Sequence, residues 1–553
     1  MSHSSNKLVK IGIKCTIKRI MIKIISRKSD LAVIQAEMVA QALTQVDKNI
    51  TISFIKKETE GDLDQLTSLK LLSNIGVFTN DIRESLLNNE ADIAVHSLKD
   101  LPVEQQEDTT VVSMLKRADS RDILFVKKES IKNLNNNEFK ILTSSPRRAY
   151  NFSNFIEKLI PFSPSKISYE DVRGNIPTRL KKLLNGNHQG LVVAKAAIDR
   201  LVAYGYEDLS IEIKDLLDKF LWMVIPLSLN PCAAGQGAIA IEVNSKRKDI
   251  IKLIKSINHK KTFSQATRER EILQNFGGGC HQKIGVTIES KFFGEIINIR
   301  GQTEDGLEIE KREIINESND WKNIPEENFF PSDINNYKLF ERDLITKNLD
   351  KIDKLKNTNI YVSRENALPE KQNIDLSNII WTSGVKTWMK LAKKGYWVNG
   401  TSDSLGEEDP EINYLTNNKK WVKLTHNLVP KNLLKFHNNP KNARVISTYK
   451  LIPINRIENL NEKSHFYWMS GSAFKLALKK YPKIKNAKHS CGPGNTLLTL
   501  KKYIKEKNIN IFLSYEDALK NVVRSGNKTL KFIMKYLIML YCMLHKKLHL
   551  YGL

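Results

Sequence analysis

Cysteine is scarce in these 553 residues: Cys15, Cys232, Cys280, Cys491 and Cys542 are odd in number and widely separated. No CxxC pair and no Cys/His metal spacing occurs. A disulfide framework and a zinc site are therefore not expected, no metal is expected elsewhere, and a reducing, cytoplasmic setting fits. Long apolar runs are also missing. The most apolar stretch, FIMKYLIMLYCML near the C-terminus, is broken by Lys535. It falls short of the roughly 18–20 residues needed to span a bilayer, so a packed terminal helix is expected and no membrane partner. No repeat with a period of about 20–50 residues is present, which excludes a solenoid. The first twenty residues lack acids and an apolar secretory segment, and read as an unstructured leader.

Positive charge is abundant instead, at a formal +26, with 41% hydrophobic and 27% charged residues. That mixture is normal for globular domains, and the length predicts three or four of them. Segments such as KKYIKEKNIN pair Lys with Asn and Ile, so much of the excess is compositional. Clustered arginines are the informative part.

From residue 22 short β-rich runs alternate with helical periodicity. KIIS, TISFI, ADIAV, FKILT, SKISY and LVV read as strands. In SDLAVIQAEMVAQALTQV, Leu31, Ile34, Met38 and Ala42 share one helical face, with Ser29 or Asp30 at the N-cap. Such alternation predicts α/β sheets. Residues 301–357 turn acidic and turn-rich, placing a domain junction near 350. After it IYVSREN, NIIWTSG, ARVIST, HFYWMSGS and INIFLS again read as strands.

Chemistry-bearing residues follow the strands. Arg27 and Ser29 come after KIIS, Ser97, Lys99 and Asp100 after ADIAV, Ser144, Ser145, Arg147 and Arg148 after FKILT. Arg173, Gly174 and Arg179 come after SKISY. In open α/β sheets ligands collect at the carboxyl ends of strands, where helix N-termini and arginines favour anions. Four such turns together predict a pocket for a ligand with several negative charges. Nucleic acid fits less well, because stacking aromatics are absent from these turns.

Asp100 reads either as a salt-bridged turn residue or as a carboxylate kept ionised by its cationic neighbours. Cys280, in FGGGCHQKIG, follows three glycines. A lone cysteine is usually buried filler; its Gly-rich, polar setting suggests a reactive thiol, with His281 as a possible base in a Cys/His hydrolase.

SRKSDLAVIQAE, TEGD, ADIAVHSLKDLP, RADSRD, TSSPRRA, VRGNIPTRL, AAGQGAIAIE and FGGGCHQKIG occur in order over about residues 22–300. Together they resemble the hydroxymethylbilane synthase (porphobilinogen deaminase) family. The resemblance implies a dipyrromethane cofactor joined to Cys280 by a thioether, with Asp100 as the main catalytic group. It implies that Lys99, Ser145, Arg147, Arg148, Arg173 and Gly174 hold the cofactor. Arg27, Ser29, Ser97 and Arg179 would hold substrate. The implied reaction joins four porphobilinogen molecules with loss of ammonia, in a monomer without nucleic-acid or membrane partners. The implied fold is two similar doubly wound α/β domains around a cleft (21–115 with 236–257, and 116–235). A small α+β domain with the cysteine loop (258–340) follows. Three departures stand out: Ile75 in SNIGVF where the family has lysine, Glu60 in TEGD, and Pro146 in TSSPRR.

Residues 358–525, after a linker at 341–357 and before a tail at 526–553, resemble uroporphyrinogen-III synthase more faintly. The resemblance rests on IYVSREN, YWMSGSAFKLALKKYP and AKHSCGPGNTLLTLKKYI. It implies a two-lobed α/β region, with Ser470, Ser472 and Thr496 as candidate propionate-binding groups, while Cys491 reads as packed. Two other readings remain: a non-catalytic C-terminal domain, or a two-lobed anion-binding solute receptor.

Overall fold

Strand β1 (Ile20–Arg27) is apolar in both registers, and this determines its place. Ile22 and Ile24 join one core cluster and Ile25 another, so both faces are covered, as in the middle of a layered α/β sheet. The computed structural model describes residues 20–59, 79–104, 107–277, 282–316, 321–334, 337–416, 420–429, 444–454 and 458–523. Cys280, His281, Glu60, Ile75, the leader and the terminal tail lie outside the described residues.

The first sheet combines β1 with β2 (Ile50–Lys57), β3 (Ile93–Ser97), β4 (Thr109–Met114) and β10 (Ile239–Asn244), in the order β2-β1-β3-β10-β4. Helix α1 (Asp30–Val46) covers one face through Ala36, Val39 and Leu43. Helix α2 (Asn80–Leu87) covers the other through Ile82 and Leu86. The buried face of α1 is therefore turned from the one expected: Leu31, Met38 and Ala42 are only half-buried. The helix is apolar around most of its circumference, so periodicity alone could not choose the seam.

The second sheet has the order β7-β6-β8-β5-β9. Its strands are β5 (Asp122–Lys127), β6 (Glu138–Leu142), β7 (Lys166–Glu170), β8 (Gly190–Ala194) and β9 (Phe220–Val224). Helices α3 (Pro146–Ser153), α4 (Ile176–Asn185), α5 (Lys195–Tyr204) and α6 (Glu207–Leu217) connect them. Both sheets are mixed, consistent with doubly wound α/β domains. β10 runs antiparallel to β3 and β4, and β5 antiparallel to β8 and β9. Each of these strands enters its sheet after the chain has crossed from the other, so neither follows a right-handed βαβ path. Then come α7 (Lys248–Ile254), α8 (Lys260–Gln274) and a three-stranded sheet of β11 (Gly285–Lys291), β12 (Gly294–Gln302) and β13 (Glu308–Ile315), with β12 central.

Two further sheets follow. One has the order β14-β21-β22-β23, from β14 (Phe329–Phe330), β21 (His465–Trp468), β22 (Lys488–Cys491) and β23 (Ile509–Ile511), all parallel. The other has the order β15-β20-β19-β16-β17-β18. It is built from β15 (Phe340–Leu344), β16 (Asn359–Val362), β17 (Ile379–Thr382), β18 (Gly400–Thr401), β19 (Trp421–His426) and β20 (Arg444–Pro453). Its helices are α9 (Asp350–Asp353), α10 (Val385–Lys393) and α11 (Asn413–Thr416). Helices α12 (Gly471–Lys480), α13 (Asn495–Leu500) and α14 (Tyr515–Val522) accompany the four-stranded sheet.

These pairings move two expected boundaries. β14, inside the segment assigned to a third N-terminal domain, pairs with β21; β15, inside the expected linker, pairs with β20. Phe330 and Phe340 are buried in the same core as Phe466 and Trp468, which an acidic, turn-rich sequence texture does not reveal. The chain divides into two compact units. One comprises Met1–Asn154, Pro164–Ile288 and Asn298–Glu310; the other comprises Phe155–Ser163, Glu289–Ile297 and Lys311–Leu553. Among the described residues no helix is long and apolar enough to cross a membrane.

Candidate active site

In the first sheet β1 is flanked by β2 and β3, so the order reverses between β1 and β3. A crevice opens at the carboxyl ends of strands at such a reversal. The residues there are Arg27 at the end of β1, and Ser97, Lys99 and Asp100 at the end of β3. Asp100 ends a short 3₁₀ turn, Leu98–Asp100, and is exposed.

The turn rests on a small apolar cluster of Leu98, Leu101, Met114, Ala238, Ala240 and Ala266. Gly235 allows this seat: its φ is +76°, and a Cβ there would lie 2.6 Å from Leu98 Cδ2. Arg270 of α8 grips the turn from the other side, donating to the carbonyl oxygens of Leu98 (3.2 Å), Leu101 (3.0 Å) and Pro102. The Ser97 hydroxyl is exchanged with the Gln35 amide of α1 at 2.9 and 3.1 Å. It thus ties the turn to α1, and is less available to a ligand than expected. Ser29 caps α1 by position only; its side chain makes no cap bond, which leaves the hydroxyl for an anion at that helix start.

The second sheet contributes three turns. Ser145 caps α3 by accepting from the Arg148 N–H at 3.4 Å, and Pro146 occupies the first helical turn, where its missing N–H costs nothing. Ser144 exchanges hydrogen bonds with the Val172 backbone at 2.7 and 2.9 Å, tying the end of β6 to the turn after β7. Gly174 has φ +108°, and a Cβ there would meet Thr178 Cγ2 at 2.8 Å. Its carbonyl accepts from Arg179 Nε at 2.7 Å, and Asn175 caps α4 through Thr178 N at 3.0 Å.

Electrostatics confirms that these turns converge. Burial pushes the Lys99 ammonium below its usual range; Asp100 pulls it up, while Arg148 and Arg179 push it further down. Burial lowers Arg179 to about 10, with Arg148, Arg173 and Arg27 acting in the same direction and Asp100 against them. Lys99, Asp100, Arg148, Arg173, Arg179 and Arg27 therefore share one field, and its cations outnumber its acids.

Arg147 stands apart. It is 3% exposed, and its guanidinium donates to Asp122 Oδ2 (2.8 Å), Asn230 Oδ1 (3.0 Å) and the Pro231 carbonyl (2.7 Å). Three hydrogen bonds thus tie its guanidinium inside the protein, which leaves it less available to the cofactor than the resemblance implies. Arg148 shares the same carboxylate through Oδ1 at 2.7 Å, but its Nε is buried without a partner. Burial pushes Asp122 upward, yet Arg148 and Arg147 hold it far below the carboxylate range.

Asp122 is thus a residue that motif reading missed; its signal was only the second aspartate of RADSRD. Glu269 is another. Fully buried on α8, it accepts from Arg117 (2.7 and 2.9 Å), Gly235 N (2.8 Å) and Ile288 N (2.7 Å). It binds the β4–β5 crossing to the helix that precedes the Cys280 segment.

The family model "Porphobilinogen deaminase, dipyromethane cofactor binding domain" matches residues 22–252. A porphobilinogen deaminase of Caldicellulosiruptor saccharolyticus is 36% identical over 269 residues, 83% of that protein and 48% of this chain. One from Syntrophomonas wolfei is 35% identical over 277 residues, 82% of it and 50% of this chain. This chain belongs to the porphobilinogen deaminase family. A solved Streptococcus mutans chain concerned with glutathione import matches at a TM-score of 0.25 and 10% identity, covering 98% of that chain and 48% of this one. So weak a similarity carries no argument.

The deaminase carries the domain that holds dipyrromethane, and its residues fit that group. A dipyrromethane with acetate and propionate chains needs several cations and one unspent carboxylate. The cluster supplies Arg148 with its unpartnered Nε, Arg173, Arg179, Lys99 and the exposed Asp100. Among the described residues no His, Cys, Asp and Glu group is arranged to hold a metal.

The C-terminal candidates divide. Ser470 caps α12, accepting from Ala473 N at 3.2 Å, and Ser472 follows in the first turn, half-buried. Gly471 lies against Thr499, so the start of α12 packs beside the last turn of α13. Thr496, however, belongs to a helix of six residues whose first residue, Asn495, donates to Glu407 Oε1 at 2.6 Å. A protein carboxylate already meets that helix start. Cys491 is buried, as expected.

Proposed function

We propose that this enzyme builds a linear tetrapyrrole from four porphobilinogen molecules, releasing ammonia at each addition, on a primer held by Cys280. The observation that carries the reading is the exposed Asp100 carboxylate set among Lys99, Arg148, Arg173 and Arg179. When bound, the dipyrromethane supplies the nucleophilic α-carbon from which the chain grows. The exposed Asp100 carboxylate balances positive charge on the pyrrole nitrogen as the amine leaves and relays the proton. Arg27, Ser29 and Arg179 receive substrate carboxylates; Arg148, Arg173, Lys99, Ser145 and Gly174 receive those of the cofactor. Arg147 and Ser97 hold this surface in place from behind.

In this reading the two five-stranded sheets form two domains, with the Cys280 segment on a third element after α8, in a cytoplasmic monomer. The C-terminal half then closes the tetrapyrrole into uroporphyrinogen III, through Ser470 and Ser472 at the start of α12. Fusion suits the chemistry because the open-chain product cyclises spontaneously to the wrong isomer.

The intact mass of the purified chain tests the primer. We expect the mass of two linked pyrroles above that of the polypeptide, lost together with activity in Cys280→Ser. An unmodified, active chain overturns the reading. The product isomer tests the second half: type I alone from porphobilinogen would remove the synthase.

A further inference from the structure

The six-stranded sheet repeats the arrangement that places the deaminase site. β16 is followed in sequence by its neighbour β17 on one side, while β19 lies on the other, so the order reverses between β16 and β19. A crevice at the carboxyl ends of β16 and β19 is the expected ligand position. The residues there are Ser363 and Arg364, directly after β16, and His426, the last residue of β19. Arg342 of β15 and Tyr449 of β20 join them: Tyr449 pairs with His426 just past a register shift, their rings 5.9 Å apart, and Arg342 lies in the field of Arg364 and Tyr449.

This corner carries cations without matching acids. Neither Arg342 nor Arg364 has an ion pair within 4.0 Å among the described residues. Glu365 is engaged by Lys390 at 3.0 Å, and Lys423 by Glu407 at 2.5 Å. The Tyr337 hydroxyl, within the field of Arg364, is buried without a hydrogen-bond partner. His426 Nδ1 accepts from Leu428 N at 3.2 Å, which leaves the proton of the neutral ring on Nε2 as a donor. Burial, with Lys423, Arg364 and Arg342 behind it, pushes this histidine down to about 4, so the ring is neutral at pH 7. Two guanidiniums, a phenol and an imidazole N–H are donors suited to carboxylates. A phosphate cradle would instead show a Gly-rich loop entering a helix, whereas β16 runs into the short turn Glu365–Ala367.

We infer that the crevice between β16 and β19 binds carboxylate side chains of an organic polyacid through Arg364 and Arg342, with Tyr337 and His426 as neutral donors. Taking that polyacid to be the linear tetrapyrrole rests on the synthase reading above. The site is separate from Ser470 and Ser472, and it supplies the charge recognition that the Glu407-engaged start of α13 does not.

Uroporphyrin I, an unreactive octacarboxylate, is the probe, titrated into the full chain with its fluorescence and stoichiometry followed. We expect Arg364→Ala and Arg342→Ala each to weaken one binding event by roughly ten- to a hundredfold. Arg179→Ala, in the deaminase cleft, should leave that event unchanged, and Arg364→Lys should be intermediate at an unaltered melting temperature. Unchanged binding in Arg364→Ala, or displacement of the probe by equimolar inorganic phosphate, overturns the assignment. The isomer assay separates the two ideas. Loss of probe binding in Arg364→Ala with only type I product from the wild type leaves the site standing without the synthase. Type III product with probe binding untouched by either arginine leaves the synthase standing without the site.

Discussion

The two five-stranded sheets of the N-terminal unit share one strand order and use their key aspartates in opposite ways. In each, three parallel strands are followed by an antiparallel one delivered from the other sheet. In the first, Asp100 sits past the carboxyl end of β3 on a 3₁₀ turn and faces solvent. In the second, Asp122 opens β5 with no exposed surface and accepts from Arg147, Arg148, Asn230 and Gln236. A carboxylate past a strand end is free to act on a ligand; one at a strand start, under a helix, becomes the anchor for its cations. The second lobe thus has no acid to donate to the chemistry, but it holds two arginines at a defined height.

The sharpest way to break that comparison is to neutralise each aspartate in turn. Asp122→Asn leaves two buried guanidiniums without their counter-charge, and should lower unfolding free energy by about 3–5 kcal/mol in urea titrations, taking activity with it. Asp100→Asn should leave the melt unchanged yet reduce kcat by roughly 10²–10⁴. Equal destabilisation by both would erase the distinction.

A second contrast lies at α5, where buried Lys195 bridges Asp199 (2.6 Å) and Asp119 (3.3 Å). Burial raises Asp199 to about 6, with Lys195 opposing. A carboxyl raised on folding stabilises most below its unfolded value near 4, and that contribution is lost as pH rises through about 6. Thermal melts of the wild type should therefore include a decline between about pH 4 and 6 that Asp199→Asn flattens; an identical profile in the variant would remove Asp199 as its source. The smallest effect separates Ser97 from Ser29. Ser97→Ala should cost about 1 kcal/mol of stability with KM unchanged, while Ser29→Ala should raise KM at constant stability.

Legibility in the sequence followed the range of the interaction. Arg27, Lys99, Asp100, Arg148, Arg173 and Arg179 were readable because each follows a strand within a few residues, and the strand-end rule needs only local pattern. Asp122, Glu269 and Arg270 were not, because their partners lie far along the chain: Asn230 for Asp122, Arg117 for Glu269, Leu98 for Arg270. The buried seam of α1 escaped for a related reason, since a helix apolar on several sides takes its orientation from what packs on it. The short strands β14 and β15 are recognisable only once β21 and β20 are beside them.

By itself the sequence determined the alternation of strand and helix, the positions of the cationic strand-end turns and the family, because these depend on residue types and spacing within single segments. Only the tertiary structure decided that Arg147 and Arg148 both bind Asp122, and that Arg148 keeps a buried Nε without a partner. It alone also decided that β10 and β5 cross between sheets, and that a second uncompensated cationic corner stands at β16 and β19. Charge balance and burial are properties of residues brought together from distant parts of the chain, and no local pattern encodes them.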